Sequence, residues 1–270
     1  MCKVAICIPS YKNVKLLQRL LDSIFKQTFD DYIVVVSDDS DTDEVKLFIE
    51  QNYRDKVCYV KNRERLGATA NCNNAMKYAQ QFQPEYIKVM HHDDFFTFVE
   101  SLDELVKLFE ENPQAQMVFS GTCQVGEKNS FERYISDEQV KAIKNDIFYL
   151  FKGNVIGAPS AVMVKNEQIY MDNALKWLVD TEWYLRILNG RNQFNYTKKP
   201  LISIGVGDGQ LTNSCIVDPQ LQIWEHQYVY DKFPELHTKE YRKCLKNVLA
   251  KNRKQMLKHR IKNFFVRSEK

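Results

Sequence analysis

The sequence predicts an α/β fold, a mostly parallel sheet flanked by helices, followed by a C-terminal helical basic tail. Three observations carry that expectation. Short apolar runs alternate with stretches of helical spacing as far as Ser120, polar residues collect just after the runs, and basic residues gather at the C-terminal end.

Taken in order, residues 4–9 form an apolar run, and Leu16, Leu17, Leu20, Leu21, Ile24 and Phe25 then recur at helical spacing, so a strand is followed by an amphipathic helix. Residues 33–36 are β-branched and read as a second strand, residues 45–49 as a helix, and residues 57–60 as a third strand. Cys72, Ala75, Met76 and Ala79 mark a helix, residues 86–90 a fourth strand, Leu102, Leu105, Val106 and Phe109 a helix, and residues 116–120 a fifth strand. Repeated βα units imply a parallel sheet with helices on both faces. Beyond Ser120 the alternation weakens into a helical segment over 138–151, a turn at 157–160, a strand at 161–164 and a helix from about Asp180. After Pro219 the pattern is helical again, with Tyr241, Leu245, Val248, Leu249, Met256, Ile261, Phe264 and Phe265 close to one face.

Composition excludes several classes. With 270 residues, 44% of them hydrophobic and 27% charged, the chain reads as globular, and a core of that size needs no disulfide or metal staple. No apolar run approaches the roughly 18 residues of a membrane span. The first strand-like run begins by Val4, which leaves no room for a cleaved secretory signal, so a cytoplasmic location is expected. The seven cysteines are odd in number and never spaced C-x-x-C, which points to reduced thiols rather than a disulfide framework or a zinc knuckle. The net charge of +3 hides an asymmetry: residues 241–270 hold 11 Lys or Arg against one acid, Glu269, and the remainder is mildly acidic. Such a tail suits a polyanion or an anionic membrane surface, or is a solvated helix face.

In open α/β sheets, ligands bind outside the carboxyl ends of the strands. The first strand here ends in Pro9-Ser10-Tyr11, the second in Asp38-Asp39-Ser40-Asp41 and the fourth in His91-His92-Asp93-Asp94. Asp93 and Asp94 are hard oxygen donors suited to Mg²⁺ or Mn²⁺ with a diphosphate; a helix-capping loop uses the same residues. His91-x-Asp93 with a distant His226 would fit an iron site, although such sites usually sit on all-β scaffolds. Asp38 and Asp39 can accept from a nucleobase imide or a ribose hydroxyl, or open an Asx-turn. Tyr11 can stack on a base. Gly205-x-Gly207-x-Gly209 has no helix pattern after it, which favours a mobile loop over a dinucleotide fingerprint.

Together Val4-Ala-Ile-Cys-Ile-Pro-Ser-Tyr11, a helix ending near Gln27-Thr28, Val35-Val-Ser-Asp38-Asp39-Ser40, Leu66-Gly67-x-x-x-Asn71-x-Asn73, Tyr86-Ile-Lys-Val-Met-His91-His-Asp93-Asp94, and Asp180 with Arg186 six residues on resemble family 2 glycosyltransferases of the Rossmann-like GT-A fold. The likeness is to the bacterial members that build capsular and lipopolysaccharide chains, and it covers residues 3–212. It implies a catalytic domain over 1–218, with a nucleotide-binding half to about residue 122 and an acceptor half over 123–218, and a helical basic extension over 219–270. It also implies that Pro9, Tyr11 and Asp39 form the base pocket, Asp39 accepting from a uracil N3–H, with Asn71 a further donor-side contact. Asp93 and Asp94 are similar to the family's Asp-x-Asp motif, Asp94 as the more direct ligand of Mn²⁺ or Mg²⁺ and Asp93 nearer the ribose and phosphates. His91 stands where an acid often precedes the pair, and imidazole suits Mg²⁺ poorly, so the metal's identity stays open.

Asp180 is similar to the base of inverting members. It follows Val179 where the family usually has Glu, Glu182 lies two residues later, and an N-cap is the plain alternative. Trp177 and Trp183 are sugar platforms or core residues. The implied activity is inverting, metal-dependent transfer of a hexosyl or N-acetylhexosaminyl group from a nucleotide-diphosphate donor, UDP above all. The acceptor is a hydroxyl of a growing surface glycan: capsule, O-antigen or exopolysaccharide. A sugar nucleotidyltransferase would carry a Gly-rich basic loop after the first strand, which Pro9-Ser10-Tyr11-Lys12-Asn13 is not, and a silent glycan-binding module would not need Asp180. The tail then reads as a peripheral contact with the inner face of an anionic membrane, and it carries no nucleic-acid motif.

Overall fold

The computed structural model describes residues 2–126, 129–207 and 215–268, with side chains as far as Lys258. The first half follows the expected alternation: β1 (Val4–Ser10), α1 (Val14–Ile24), β2 (Tyr32–Asp38), α2 (Glu44–Asn52), β3 (Cys58–Lys61), α3 (Ala68–Ala79) and β4 (Tyr86–Val89). There follow β5 (Phe95–Phe96), α4 (Ser101–Glu111), β6 (Met117–Val125), β7 (Ser130–Arg133), α5 (Asp137–Asn145), β8 (Val162–Lys165), α6 (Val179–Leu188), β9 (Phe194–Gly205), α7 (Pro219–Lys232) and α8 (Lys239–Ser268). Among the described residues the strands form one sheet, ordered β3-β2-β1-β4-β8-β6-β9-β5, with β7 paired to β6.

The expected parallel run holds across β3, β2, β1 and β4. β8 then enters antiparallel between β4 and β6. The reason is topological: β6 ends and β8 begins at the carboxyl edge of the sheet, so β8 has to run back. β9 restores a parallel pairing with β6, shifted in register at Gly121.

Period-2 alternation in β1 sends Val4, Ile6 and Ile8 into one core with α1, α2 and α4, and Ala5 and Cys7 into the other with α3, α6 and α7. Both faces are therefore covered, as a parallel sheet requires. The helical stretch over 138–151 is split at Asp146, whose extended backbone ends α5 and whose carboxylate accepts from Phe148 N to open a 3₁₀ turn, Ile147–Lys152. β9 escaped the sequence reading because Lys198, Lys199 and Pro200 interrupt its pattern, and β7 because all four of its residues are exposed.

The C-terminal helices complete the second core. Val229, Tyr230, Phe233, Tyr241 and Leu245 are buried in it, and the Tyr241 hydroxyl donates to Asp146 Oδ2 at 2.5 Å. Arg242, Lys243, Lys246, Lys251, Arg253, Lys254 and Lys258 are exposed. The start of α8 thus packs while its described basic residues face solvent; Ile261, Phe264 and Phe265 lie outside the described side chains. All seven cysteines are free thiols, and among the described residues no helix is long and apolar enough to cross a membrane.

Candidate active site

The polar loops after β1, β2, β3 and β4 open on one edge of the sheet. Asp38, fully buried, accepts from Ser40 N at 2.9 Å, Ser40 Oγ at 2.5 Å, the Tyr59 hydroxyl at 2.7 Å and Lys61 Nζ at 3.1 Å. Four donors on two oxygens fix it as the hinge of an Asx-type turn. Asp39 accepts at Oδ1 from Asn62 Nδ2 (3.0 Å) and Leu66 N (2.7 Å), and at Oδ2 from Gly67 N (2.9 Å). It therefore pins the 62–67 loop, and Oδ2 keeps capacity for another donor. Asn71 donates to Ser10 O at 3.1 Å and accepts from Asn62 at 2.9 Å, joining β1 to the same loop.

Asn62, absent from the sequence reading, is the junction of this network, because it reaches Asp39 and Asn71 while Asn74 and Ser37 bond its Oδ1. Pro9 is buried at the end of β1 with its carbonyl 3.4 Å from the His92 ring. Tyr11 projects beyond it with the Arg65 guanidinium 4.7 Å from the ring centroid, and Lys12 pairs with Asp41 at 2.9 Å.

After β4 the two adjacent carboxylates differ in access. Asp94 is 2% exposed and accepts from Gly205 N at 3.1 Å; burial and the Asp93 charge hold its carboxyl well above the usual range. Asp93 is the more accessible of the two, and its carbonyl accepts from Arg19 of α1. A Cβ on Gly205 would lie 2.5 Å from the Asp93 carbonyl oxygen, so glycine at this place serves close approach of β9 to the loop. The expected mobile loop therefore does not include Gly205, and Gly209 lies outside the described residues. His91 Nδ1 is 3.9 Å from Asp94 Oδ2. His226 packs edge-on to Phe151 inside α7 and its Nδ1 contacts Gln222 O at 2.7 Å, so it takes no part in a site with His91.

The third contribution comes from α6. Asp180 sits in its first turn but does not cap it, since the N-cap position is Leu178. Capping is done from a distance by the buried Glu225 of α7, whose oxygens accept from Lys176 N, Trp177 N and Leu178 N at 2.7, 2.9 and 2.7 Å. Asp180 is thereby released from that duty. It makes no hydrogen bond or ion pair among the described residues; burial pushes it up to about 6, and the only opposing influence is His91. Glu182 is the opposite: fully buried, it holds Arg186 through Nε at 2.5 Å and Nη2 at 2.8 Å, and Lys232 at 2.8 Å. Trp183 is 1% exposed and donates to Ile169 O, which makes it core; Trp177 is half-buried.

His91 links two of these regions, with its Nδ1 3.9 Å from Asp94 Oδ2 and its ring near enough to act on the Asp180 carboxyl, while Asn62 and Asn71 join Asp39 to Ser10 at the end of β1. Among the described residues no set of three or more His, Cys, Asp or Glu is arranged as a complete metal site. The donor chemistry of Asp93, Asp94 and His91 still fits a divalent ion that shares its shell with phosphate oxygens.

A mixed α/β sheet with a parallel run β3-β2-β1-β4 and an acidic pair after its fourth strand is a GT-A-type scaffold. The family model for glycosyl transferase family 2 matches residues 5–205, and the chain belongs to that family. It is 22% identical over 246 residues to an uncharacterized glycosyltransferase of Rickettsia typhi, covering 88% of this chain and 73% of the relative. It is also 22% identical over 195 residues to a GalNAc(5)-diNAcBac-PP-undecaprenol beta-1,3-glucosyltransferase of Campylobacter jejuni, covering 66% of this chain and 59% of that one. Among solved structures, S. aureus TarS 1-349 in complex with UDP-GlcNAc matches with a TM-score of 0.66 at 17% identity, over 94% of this chain and 72% of that one. The mannosyltransferase PcManGT from Pyrobaculum calidifontis, in complex with GDP-Man and Mn2+, matches with a TM-score of 0.64 at 15% identity, over 95% and 74%. These likenesses establish the GT-A fold.

Proposed function

We propose that the protein is an inverting glycosyltransferase that moves a hexosyl or N-acetylhexosaminyl group from a UDP-sugar to a hydroxyl of a growing, lipid-linked or surface glycan. The observation that carries this reading is the state of Asp180: a carboxylate with no hydrogen bond or ion pair among the described residues, influenced by His91 of the Asp93-Asp94 loop, while Glu182 two residues on is tied to Arg186 and Lys232. A general base has to be unoccupied, close to the proton it takes and ionised near the working pH. Asp180 would accept the proton of the acceptor hydroxyl as that oxygen attacks the anomeric carbon and the bond to the diphosphate breaks on the opposite face. Asp39 and Tyr11 would bind and orient the base, with Pro9 and Asn71 shaping the pocket, and Asp93 would lie nearest the ribose and phosphates. Asp94 and Asp93, with His91 beside them, would hold Mn²⁺ or Mg²⁺, which when bound supplies positive charge to the departing diphosphate.

The relatives support the substrate class: one acts, by its name, on an undecaprenol-linked glycan, and two solved neighbours hold UDP-GlcNAc and GDP-Man. The exposed basic stretch of α8 supports a peripheral contact with an anionic membrane at the cytoplasmic face, where a lipid-linked acceptor would be met. A panel of nucleotide sugars, incubated with Mn²⁺ or with EDTA and followed by release of the free nucleotide, tests the donor reading. Release from a UDP-sugar that requires metal is expected; the absence of release from every donor overturns it.

A further inference from the structure

Lys88 is the least expected residue in the molecule. It sits in the middle of β4 between Ile87 and Val89, opposite Ile6 of β1, and it is fully buried, an environment that disfavours an ammonium unless it is paired or well hydrogen-bonded. Its Nζ donates to Ser160 O and to Val162 O, the latter at 3.3 Å, and lies 5.9 Å from the centroid of the Phe96 ring. The lysine thus ties β4 to the end of the 157–160 turn. That turn has two ends. At one, the Ser160 hydroxyl accepts from His91 N at 3.0 Å, and the His91 carbonyl in turn accepts from Asp94 N at 3.0 Å. At the other, the Gly157 carbonyl accepts from the Tyr184 hydroxyl at 3.0 Å and from Asn154 Nδ2 at 2.9 Å. Tyr184 is one helical turn beyond Asp180 on α6, so it shares that face of the helix.

We infer that the 157–160 turn, anchored by Lys88, is the strut that sets Asp94 and His91 at a fixed separation from Asp180, and that Ser160 is a positioning residue of the transfer reaction. A carboxylate can serve a diphosphate or a cation only if its rotamer is locked by neighbours that are themselves locked. Here Gly205 N holds the Asp94 carboxylate directly, and Ser160 holds the His91 amide at the head of the same loop, whose carbonyl accepts from Asp94 N. The turn is rigid for local reasons: Asn154 Oδ1 accepts from both Ile156 N and Gly157 N, Gly157 takes a φ of +118° that favours glycine, and Pro159 sets the backbone just before Ser160. A buried lysine in a strand is otherwise hard to account for, because an apolar residue would pack there at no electrostatic cost.

This inference rests on the donor and base roles proposed above, and the test separates the two. Mn²⁺ alone, and UDP with and without Mn²⁺, are titrated calorimetrically into the full chain and its variants, with kcat and KM measured on the active UDP-sugar. Ser160→Ala is expected to lower Mn²⁺ affinity and the Mn²⁺-dependent gain in UDP affinity about tenfold, the scale on which such supporting partners act. It should leave metal-free UDP binding unchanged, and Ser160→Thr, which keeps the hydroxyl, should restore most of the loss. Tyr184→Phe, which cuts the other end of the strut, should lower kcat and leave Mn²⁺ affinity at the wild-type value. Lys88→Met should reproduce the Ser160→Ala loss, and if that variant fails to fold the serine pair still decides. Wild-type Mn²⁺ affinity in Ser160→Ala, with only the melting temperature reduced, overturns the positioning role. A wild-type chain that binds Mn²⁺ but no uridine nucleotide overturns the donor reading alone, and Mn²⁺ affinity then remains the property that Ser160→Ala must lower. A wild-type chain that binds neither removes both.

Discussion

Two acidic regions of the molecule, the end of β2 and the start of α6, are built differently. At the β2 edge, Asp38 and Asp39 are saturated or nearly so with protein donors, so their charges serve first to shape the loops that frame a pocket. At the start of α6, the helix is capped by Glu225 from another element, and Asp180 makes no hydrogen bond or ion pair among the described residues. Asp180 and Glu182 repeat the contrast within one helical turn, the first unbonded among the described residues and raised by burial, the second locked to Arg186 and Lys232. A carboxylate does chemistry when the fold satisfies its neighbourhood without using it, and it holds structure when the fold uses both its oxygens.

That contrast can be broken most sharply at α6. Asp180→Asn should depress turnover by between about 10²- and 10⁴-fold, because an amide cannot take a proton at neutral pH, while UDP affinity by calorimetry stays at the wild-type value. Equal loss of binding and turnover would place Asp180 in the donor pocket instead. Glu182→Gln should act on the fold: leaving Arg186 and Lys232 beside a neutral buried side chain should reduce unfolding free energy by about 3 kcal/mol in denaturant titration, with kcat per folded molecule largely retained. If Glu182→Gln instead removes turnover without lowering stability, the two roles are exchanged.

The β2 edge offers a smaller effect. Asp39→Ala removes the acceptor for Leu66 N and Gly67 N along with any base contact, and UDP binding should weaken by about 1 to 3 kcal/mol. Unchanged affinity would mean that Asp39 only holds the loop. Smallest is the pH response. Asp180 is raised to about 6 by burial, and only its ionised form is a base, so kcat/KM should climb as pH rises through about 6 and level off above it, with little change between pH 7 and 8. A profile flat down to pH 5 would show that a group of ordinary carboxylate pKa, or none, carries the proton.

The alternating half of the fold was written in local sequence patterns, and the strand-end loops were marked there as candidate sites. Period-2 and period-3.6 patterns are local, and so is the rule that puts polar residues after parallel strands; Pro9, Tyr11, Asp39, Asp93 and Asp94 could be singled out as candidates for that reason. Asn71 and Asp180 were reached through family resemblance, since nothing in their neighbours' spacing distinguishes a pocket residue from a helix residue or a base from a cap. Tertiary structure alone decided what each carboxylate is free to do. Glu225 caps α6 from 47 residues away in sequence, Gly205 reaches Asp94 across 111, and Lys88 reaches Ser160 across 72. Hydrogen-bond partners at such separations leave no periodic trace, because satisfying a buried polar group depends on which elements meet in space and not on which residues are adjacent in the chain.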